Sequence, residues 1–505
     1  MKSALELQKE NDNLREQLAA EKAKTSERDQ KISALTEHIR HLLSKRFGSS
    51  SEKTAVDQLG LFNEAEELVS EEEDTQGESV SIKGYERKRK PRSGIPDHLP
   101  REEIIYDLPE DEKFCPHDGT PLKPFGSDDH EQIEIIPAQI KALLHKRLKY
   151  ACPCCEQYVV TAAKPKQPIE KSIAAPGLLA YIATQKYTDA LPLYRQTELF
   201  KRIGIEINRT NMANWMVKCG MLVQPLINLL IERLHMQPFI HMDETTLQVL
   251  DESGKTAQSK SYMWIMASDG EEPVRIFHYA DSRGQRVPLE LLSTDNQAIM
   301  VDGYEWYQKA CDDYGITRLG CWAHVRRKFK DAQALQKKRK TGKSDQALAY
   351  INKLYAIEKK IKDDPPDKRY QVRQEMAKPT IEKLKAWLDK SLLTVAPKTK
   401  LGEALVYLNN QWNRLVGYLE DGGYPIDNNA AERAIRPFAI GRKNWMFSKS
   451  QAGAKASANL YSLVETAKAN ELNAYEYLKL IFKELPNANN IEDIERLLPW
   501  QVQLG

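Results

Sequence analysis

The sequence predicts a multidomain protein of the α+β class, and three observations lead there. The chain has 505 residues, several times the roughly 100–200 of one folded domain. Its hydrophobic period changes repeatedly: heptads near the N-terminus, alternation around residues 104–161, helical periodicity at 176–235, then short strand-like runs interleaved with helices. Two tight clusters, Cys115 with Asp118 and Cys152 with Cys155, stand about forty residues apart, whereas a disulfide scaffold would spread its cysteines. The expected plan is a coiled coil or leucine-zipper-like segment at 1–46, a charged linker at 47–100 and a small knuckle domain at 101–165. A helical segment at 172–236 follows, then an α/β core at 237–450 with an α-helical insertion at about 325–420, and a C-terminal helical region at 451–505.

At the N-terminus, Ala4, Asn11, Leu18, Thr25, Ile32 and Ile39 fall at one seam position, and Leu7, Leu14, Glu21, Arg28, Leu35 and Leu42 at the other. A sustained 3.5-residue period predicts pairing between protomers, as a homodimer or higher oligomer; an amphipathic helix packed on its own domain is the alternative. Glu64 to Glu78 then form an acidic stretch, followed by Lys83, Arg87, Lys88, Arg89, Lys90 and Arg92. That basic run reads either as a solvated extended tail or as a non-specific phosphate grip.

The alternating segment predicts a small sheet carrying the two knuckles, the arrangement of a zinc ribbon, in which four ligands converge on one Zn²⁺. Cys115, Cys152 and Cys155 are three of them; the first knuckle has no second cysteine, so the fourth is Asp118 or His117. Further on, Tyr194 to Lys201, then RIGIEI, then Arg209 to Met216 suit a helix, a turn and a second helix. Such a unit would present Arg209, Thr210, Asn211 and Asn214 to DNA, although helical hairpins are also ordinary core elements.

From Pro238, PFIHMDET, SYMWIMAS, VRIFHYA, AIMVDGY and ITRLGCW are five strand-like runs, the first three suited to an antiparallel meander. Asp243 and Asp302 each follow an apolar run, so each carboxylate is expected at the exposed end of a buried strand. Carboxylates gathered together repel, and a divalent cation relieves the repulsion while activating a nucleophile for phosphate chemistry. Glu432 is the best third acid. It lies on a helix expected to be capped by Asp427 and stopped by Pro437, with Arg433 and Arg436 beside it. Singly, each acid also reads as a turn, cap or helix-pair residue; together, on this strand order, they make the pattern of a ribonuclease-H-like nucleotidyl transferase.

The stretches HMDETTLQVL, VDGYEWY, CWAHVRRKF and PIDNNAAERAIRPFAIGRKNWMFS, with the knuckles CPHDGTPLKP and YACPCCE, closely resemble the transposase of the insertion-sequence 66 family, in that order and over nearly the whole chain. The resemblance implies a DDE-type core in which Asp243, Asp302 and Glu432 bind Mg²⁺ or Mn²⁺, and a helical insertion between Asp302 and Glu432. It also implies small accessory proteins of the same element. The CWAH motif carries Cys321 and His324 over as structural or active-site supports, His324 within reach of a scissile phosphate; a buried cysteine and a capping histidine are the alternative.

Basic residues have their own logic. Lys plus Arg number 74 against 72 Asp plus Glu, a formal +2, which excludes a uniformly supercharged coat but not local fields. Arg326, Arg327, Lys328, Lys330, Lys337, Lys338, Arg339, Lys340 and Lys343 stand against Asp331 alone, a local +8, as expected of phosphate contacts. Arg442, Lys443 and Trp445 combine cations with an aromatic face suited to distorted DNA ends; a core Trp flanked by surface cations is the other reading. The expected function is therefore cleavage and strand transfer at the element's terminal inverted repeats and into target DNA. The rivals are a ribonuclease-H-like nuclease or resolvase without transfer, and a domesticated DNA-binding regulator. Without a span of about 20 apolar residues or an apolar signal, no membrane association is expected. The predicted location is the cytoplasm of a bacterial-type cell, at the nucleoid when DNA-bound.

Overall fold

A computed structural model describes residues 140–151, 159–335 and 342–504, scattered positions between 17 and 28, and the backbone of two short strands at 79–82 and 85–88. Most of the heptad seam, the four proposed zinc ligands Cys115, Asp118, Cys152 and Cys155, and the cations at 337–340 lie outside the described residues.

Two compact units divide the chain. In the smaller, Glu66–Lys164, β1 (Ser79–Ile82) pairs antiparallel with β2 (Tyr85–Lys88), so Arg87 and Lys88 of the basic run lie in a strand. There too β3 (Lys149–Ala151) pairs antiparallel with β4 (Val159–Thr161), and Arg147 Nε donates to the Ala162 carbonyl at 2.7 Å. The sequence between these two strands carries Cys152 and Cys155.

From Pro165 on, the larger unit runs through four helices, α1 (Pro176–Tyr187), α2 (Leu193–Arg202), α3 (Arg209–Leu222) and α4 (Gln224–His235). Pro176 opens α1, where its missing N–H costs nothing. Asn208 caps α3 by accepting the Thr210 N–H at 2.7 Å. Helix α2, the turn and α3 occupy the positions read from the sequence, and Arg209, Thr210, Asn211 and Asn214 are exposed at the start of α3. Met212, Trp215, Met216 and Cys219 point inward.

A mixed sheet follows in the strand order β7-β6-β5-β8-β9. Its strands are β5 (Phe239–Asp251), β6 (Lys260–Ala267), β7 (Arg275–Ala280), β8 (Ala298–Val301) and β9 (Thr317–Gly320). The first three form an antiparallel meander; β8 joins β5 parallel, and β9 joins β8 parallel. All five strand-like runs are therefore strands of one sheet. Helix α5 (Arg286–Leu291) precedes β8, and α6 (Tyr307–Tyr314) makes the crossover from β8 to β9.

One difference matters for the site. Strand β5 does not end at Asp243 but runs eight residues further, pairing Asp243 with Ile265 and Gln248 with Lys260. Asp243 thus lies within a strand, not at its end, because TTLQVL continues with strand-favouring residues that β6 pairs.

After β9 come α7 (Trp322–Ala334), α8 (Lys343–Lys360), α9 (Pro366–Val372), a π-turn (Arg373–Ala377), α10 (Lys378–Leu392), α11 (Lys400–Asn410) and α12 (Trp412–Val416). They close around their own core, with Trp322, Phe329, Ile351, Leu384 and Leu405 buried. Arg373, fully buried, locks it: its guanidinium pairs with Glu358 at 2.7 Å and donates to the carbonyls of Tyr418, Asp421 and Tyr424. A buried guanidinium is tolerated only with such complete pairing.

Helix α13 (Asn429–Trp445) then returns to the sheet. Pro437 does not end it. The proline removes one N–H, yet Ala434, Ile435, Phe438 and Gly441 on both sides of it are buried, and that packing outweighs the lost bond. Asp427 is not the N-cap either: its Oδ1 accepts the Asn429 N–H at 3.2 Å, while Asn428 holds the cap position. Strand β10 (Ser448–Ser450) adds parallel to the end of β5. Finally α14 (Gln451–Ala469), α15 (Ala474–Glu484) and α16 (Ile491–Glu495) cover the meander and the first helices.

Helix α14 is stitched to the β7 edge, where Ser462 Oγ accepts the Phe277 N–H at 2.8 Å and Thr466 Oγ1 accepts that of Arg275 at 3.0 Å. It also crosses α3 so closely that a Cβ on Gly220 would meet Ala456 Cα at 2.5 Å. Tyr187, Phe277, Phe438 and Tyr461 form an aromatic cluster in the main core. Burying each such ring contributes about 1.5–3 kcal/mol. Among the described residues no single helix is long and apolar enough to cross a membrane.

Candidate active site

Successive residues of β5 face opposite sides of the sheet. Ile240 and Met242 enter the main core with Ile299 and Val301 of β8. The other face of β8 packs Ala298 and Met300 with Cys321, Ala323 and Phe239, and this is the side that His241 and Asp243 share with Phe239. Asp302 is the first residue after β8, its Oδ1 accepting the Tyr304 N–H at 2.9 Å. Glu432 comes from the first turn of α13 and is 5% exposed.

A buried latch brings α13 to β5. Asn428 Nδ2 donates to the Met242 carbonyl at 2.8 Å, which leaves its Oδ1 to accept from His241 Nδ1 at 2.9 Å. Its backbone N–H reaches Cys321 Sγ at 3.2 Å, and its carbonyl accepts the Glu432 N–H at 3.1 Å. The other imidazole nitrogen, Nε2, faces Asp269 Oδ2 at 3.6 Å. Despite partial burial, the contacts with His241 and Arg275 hold the Asp269 carboxyl well below the usual carboxylate range.

The acids are close enough to oppose one another's ionisation. Burial, and then the charges of Glu244, Asp302 and Glu432, push the Asp243 carboxyl well above its ordinary range. Two cations temper the cluster. Arg327 Nη2 bonds Glu432 Oε2 at 3.3 Å, and Arg283 pairs with Glu244 and stands 3.9 Å from Asp302 Oδ2. His324 Nδ1 lies 3.7 Å from Glu432 Oε1. Burial and the Arg327 charge lower the imidazole to about 4, so it is neutral at physiological pH.

Three carboxylates offering hard oxygen donors suit Mg²⁺ or Mn²⁺ better than a thiophilic ion, and the mutual repulsion at Asp243 is what such an ion relieves. A second grouping, Cys321, His324 and Glu432, has its donor atoms within 4.8 Å of one another. There burial, Glu432 and Asp427 push the thiol up, and Sγ accepts the Asn428 N–H. The thiol therefore acts as a cap between two elements.

The basic residues divide. Arg209 and Asn211 are exposed on α3, and Lys328 and Arg433 are exposed on α7 and α13. Lys328 Nζ also stands 4.6 Å from the centre of the Tyr407 ring, and Arg326 Nε donates to Asn352 Oδ1 at 3.3 Å. Arg436 is half-buried and Lys443 exposed. Arg442 turns inward, donating to Thr245 and Thr246 and so tying the end of α13 to β5. Trp445 packs edge-on against Phe438 with centroids 5.4 Å apart, and Lys186 lies 5.4 Å from its ring.

Sequence reasoning passed over Glu244, Arg283, Tyr307, His241 and Asn428. The signals were present: a second acid adjoining Asp243, and an Asn pair just before the Glu432 helix. What a strand neighbour or a loop arginine touches, however, depends on pairing that no local pattern encodes.

The chain resembles known proteins over most of its length. The profile of the "Transposase IS66 family" matches residues 171–456. Further profiles match around it: "Transposase C of IS166 homeodomain" at 34–104, "zinc-finger binding domain of transposase IS66" at 112–156, and "IS66 C-terminal element" at 462–500. Among relatives in Sinorhizobium fredii (strain NBRC 101917 / NGR234), the "Uncharacterized protein y4qI" is 31% identical, over 96% of this chain and 92% of its own length. The "Uncharacterized protein y4jD" is 30% identical over 86% of each, and the "Uncharacterized protein y4hP" 29% identical over 93% of this chain and 89% of its own length. The chain belongs to the IS66 family of transposases.

Proposed function

We propose that this transposase binds the terminal inverted repeats of its own element and performs metal-dependent cleavage and strand transfer, with Asp243, Asp302 and Glu432 as the metal-binding acids. The observation that carries this reading is that Asp302, at the end of β8, and Glu432, on α13, lie close enough to Asp243 on β5 for their charges to raise its carboxyl. The strand order β7-β6-β5-β8-β9, antiparallel then parallel, supports a ribonuclease-H-like core, and the helices with their own buried cluster between β9 and α13 support the insertion.

Bound Mg²⁺ or Mn²⁺ would supply polarisation of the phosphodiester and activation of water or a 3′ hydroxyl. The chain's own residues do the rest. Asp243, Asp302 and Glu432 would hold the cations, and Arg327 fixes the Glu432 carboxylate. His324, neutral, offers a hydrogen-bonding imidazole to the scissile phosphate. The exposed start of α3, with Arg209 and Asn211, suits the element ends, and the basic surface of α7 suits flanking or target DNA. Cys115, Asp118, Cys152 and Cys155 are the proposed ligands of a structural Zn²⁺, and the N-terminal heptads the proposed means of pairing two protomers and so two DNA ends. Accessory proteins of the element and action at the nucleoid belong to the same reading.

Asp243→Asn, Asp302→Asn and Glu432→Gln should each abolish cleavage of labelled end DNA in Mg²⁺ while gel-shift binding stays near wild type. Retained cleavage in any one removes that residue from the set.

A further inference from the structure

Glu244 immediately follows Asp243 yet is directed elsewhere. Its side chain is 1% exposed, one carboxylate oxygen accepts the Tyr307 hydroxyl, and the other is gripped by Nε and Nη2 of Arg283. Arg283 comes from the loop after β7 and stacks on Tyr304, its guanidinium carbon 3.5 Å from the ring centre. Tyr304 in turn donates its hydroxyl to the Arg283 carbonyl at 3.3 Å and its N–H to Asp302 Oδ1. Arg318 ties down the segment after β8 through the carbonyls of Asp302 and Tyr304, at 3.1 and 2.7 Å. One guanidinium therefore joins a buried acid on β5, an aromatic lid, and at 3.9 Å the metal-facing acid after β8.

We infer that Arg283 is a positioning residue: it holds and neutralises Glu244 on the opposite face of β5 and limits how tightly Asp243 and Asp302 hold a divalent cation. The inference rests on the reading of Asp243, Asp302 and Glu432 as the metal-binding acids. Glu244 faces the side of β5 opposite Asp243, yet its charge is felt at both Asp243 and Asp302, so without a counter-charge it would add to the negative field that draws a cation. Nε and Nη2 of Arg283 together neutralise one Glu244 oxygen, and the positive charge beside Asp302 opposes cation binding there.

The two partners predict opposite signs. Arg283→Gln removes the positive charge and releases Glu244, so Mn²⁺ alone should bind at least about threefold more tightly, while cleavage at saturating Mn²⁺ falls by about tenfold or more. Glu244→Gln keeps a hydrogen-bonding partner for Tyr307 but frees Arg283 to turn wholly to Asp302, so Mn²⁺ binding should weaken by about threefold or more. Arg283→Lys keeps the charge, so its Mn²⁺ affinity should stay within about twofold of wild type. Binding is read from the electron paramagnetic resonance signal of free Mn²⁺ titrated with the full-length protein, taking the portion lost in Asp243→Asn as the site. Arg283→Gln binding Mn²⁺ as wild type does, or more weakly, overturns the inference, since general loosening of the site predicts weakening. Should Arg283→Gln fail to fold, unchanged or tighter binding by Glu244→Gln overturns it equally. Wild-type protein with no Asp243-dependent Mn²⁺ binding overturns the metal reading itself, and the inference with it.

Discussion

Replacing Asn428 with alanine removes the side chain that ties the Glu432 helix to β5. In the intact protein its amide satisfies two buried groups, the Met242 carbonyl at 2.8 Å and His241 Nδ1 at 2.9 Å, and Asn428 is fully buried. Water does not reach either group. Each buried polar group left without a partner costs about 1–3 kcal/mol, so allowing for local relaxation the loss should be about 2–4 kcal/mol. Asn428→Asp should be no better, because a carboxylate oxygen would face the Met242 carbonyl where an N–H now donates. The helix start also sets the position of Glu432, whose N–H bonds the Asn428 carbonyl. A displacement of about 1 Å there should slow cleavage on the order of a hundredfold. Urea unfolding of the full-length chain reads the first effect, and cleavage of labelled end DNA beside a gel shift reads the second. A loss under about 0.5 kcal/mol, with cleavage within twofold of wild type, would refute the latch.

Further expectations concern pH, the helices between β9 and α13, and zinc. His324 is held at about 4 against an ordinary 6.5, so between those pH values the unfolded chain takes up a proton that the folded one refuses. Wild-type stability, relative to His324→Gln, should be full above pH 6.5 and fall by about 3 kcal/mol as pH drops to 4; a flat difference across that window in denaturation curves would contradict it. Arg373→Met should cost about 3–5 kcal/mol by leaving the half-buried Glu358 and three backbone carbonyls unpaired, and adding Glu358→Leu should recover only the part due to the carboxylate, as thermal unfolding will show. Protein purified without chelator should carry about one equivalent of Zn²⁺ by elemental analysis, and less than about a tenth would exclude the site at Cys115, Asp118, Cys152 and Cys155.

Much of the core was legible because its elements announce themselves locally. Five apolar runs became the five strands of one sheet, and the α2-turn-α3 unit stands where its periodicity and Gly204 put it. Limits were less visible because they are set by partners. Strand β5 passes Asp243 since β6 is there to pair it, and α13 passes Pro437 since Phe438 and Gly441 have a core to enter. The acids could be nominated from sequence, yet their supports could not. Arg283 is 39 residues from Glu244, and His241 is 187 from Asn428, and no spacing rule links such pairs. Arg442 and Trp445 show the same limit: a cation and an indole near a helix end look alike in sequence whether they turn to DNA or, as Arg442 does, to Thr245 and Thr246.

The central claim is that the three gathered carboxylates cut and join DNA at the element's ends. Its most direct test is to incubate the purified full-length protein and Mg²⁺ with DNA carrying candidate terminal repeats and a target plasmid, and to map every new 5′ and 3′ terminus. The account predicts 3′ hydroxyl ends at the repeat boundary that reappear joined to plasmid DNA, and neither product with Asp243→Asn. Cleavage away from the repeats, cut ends that are never joined, or products that persist in Asp243→Asn would contradict it.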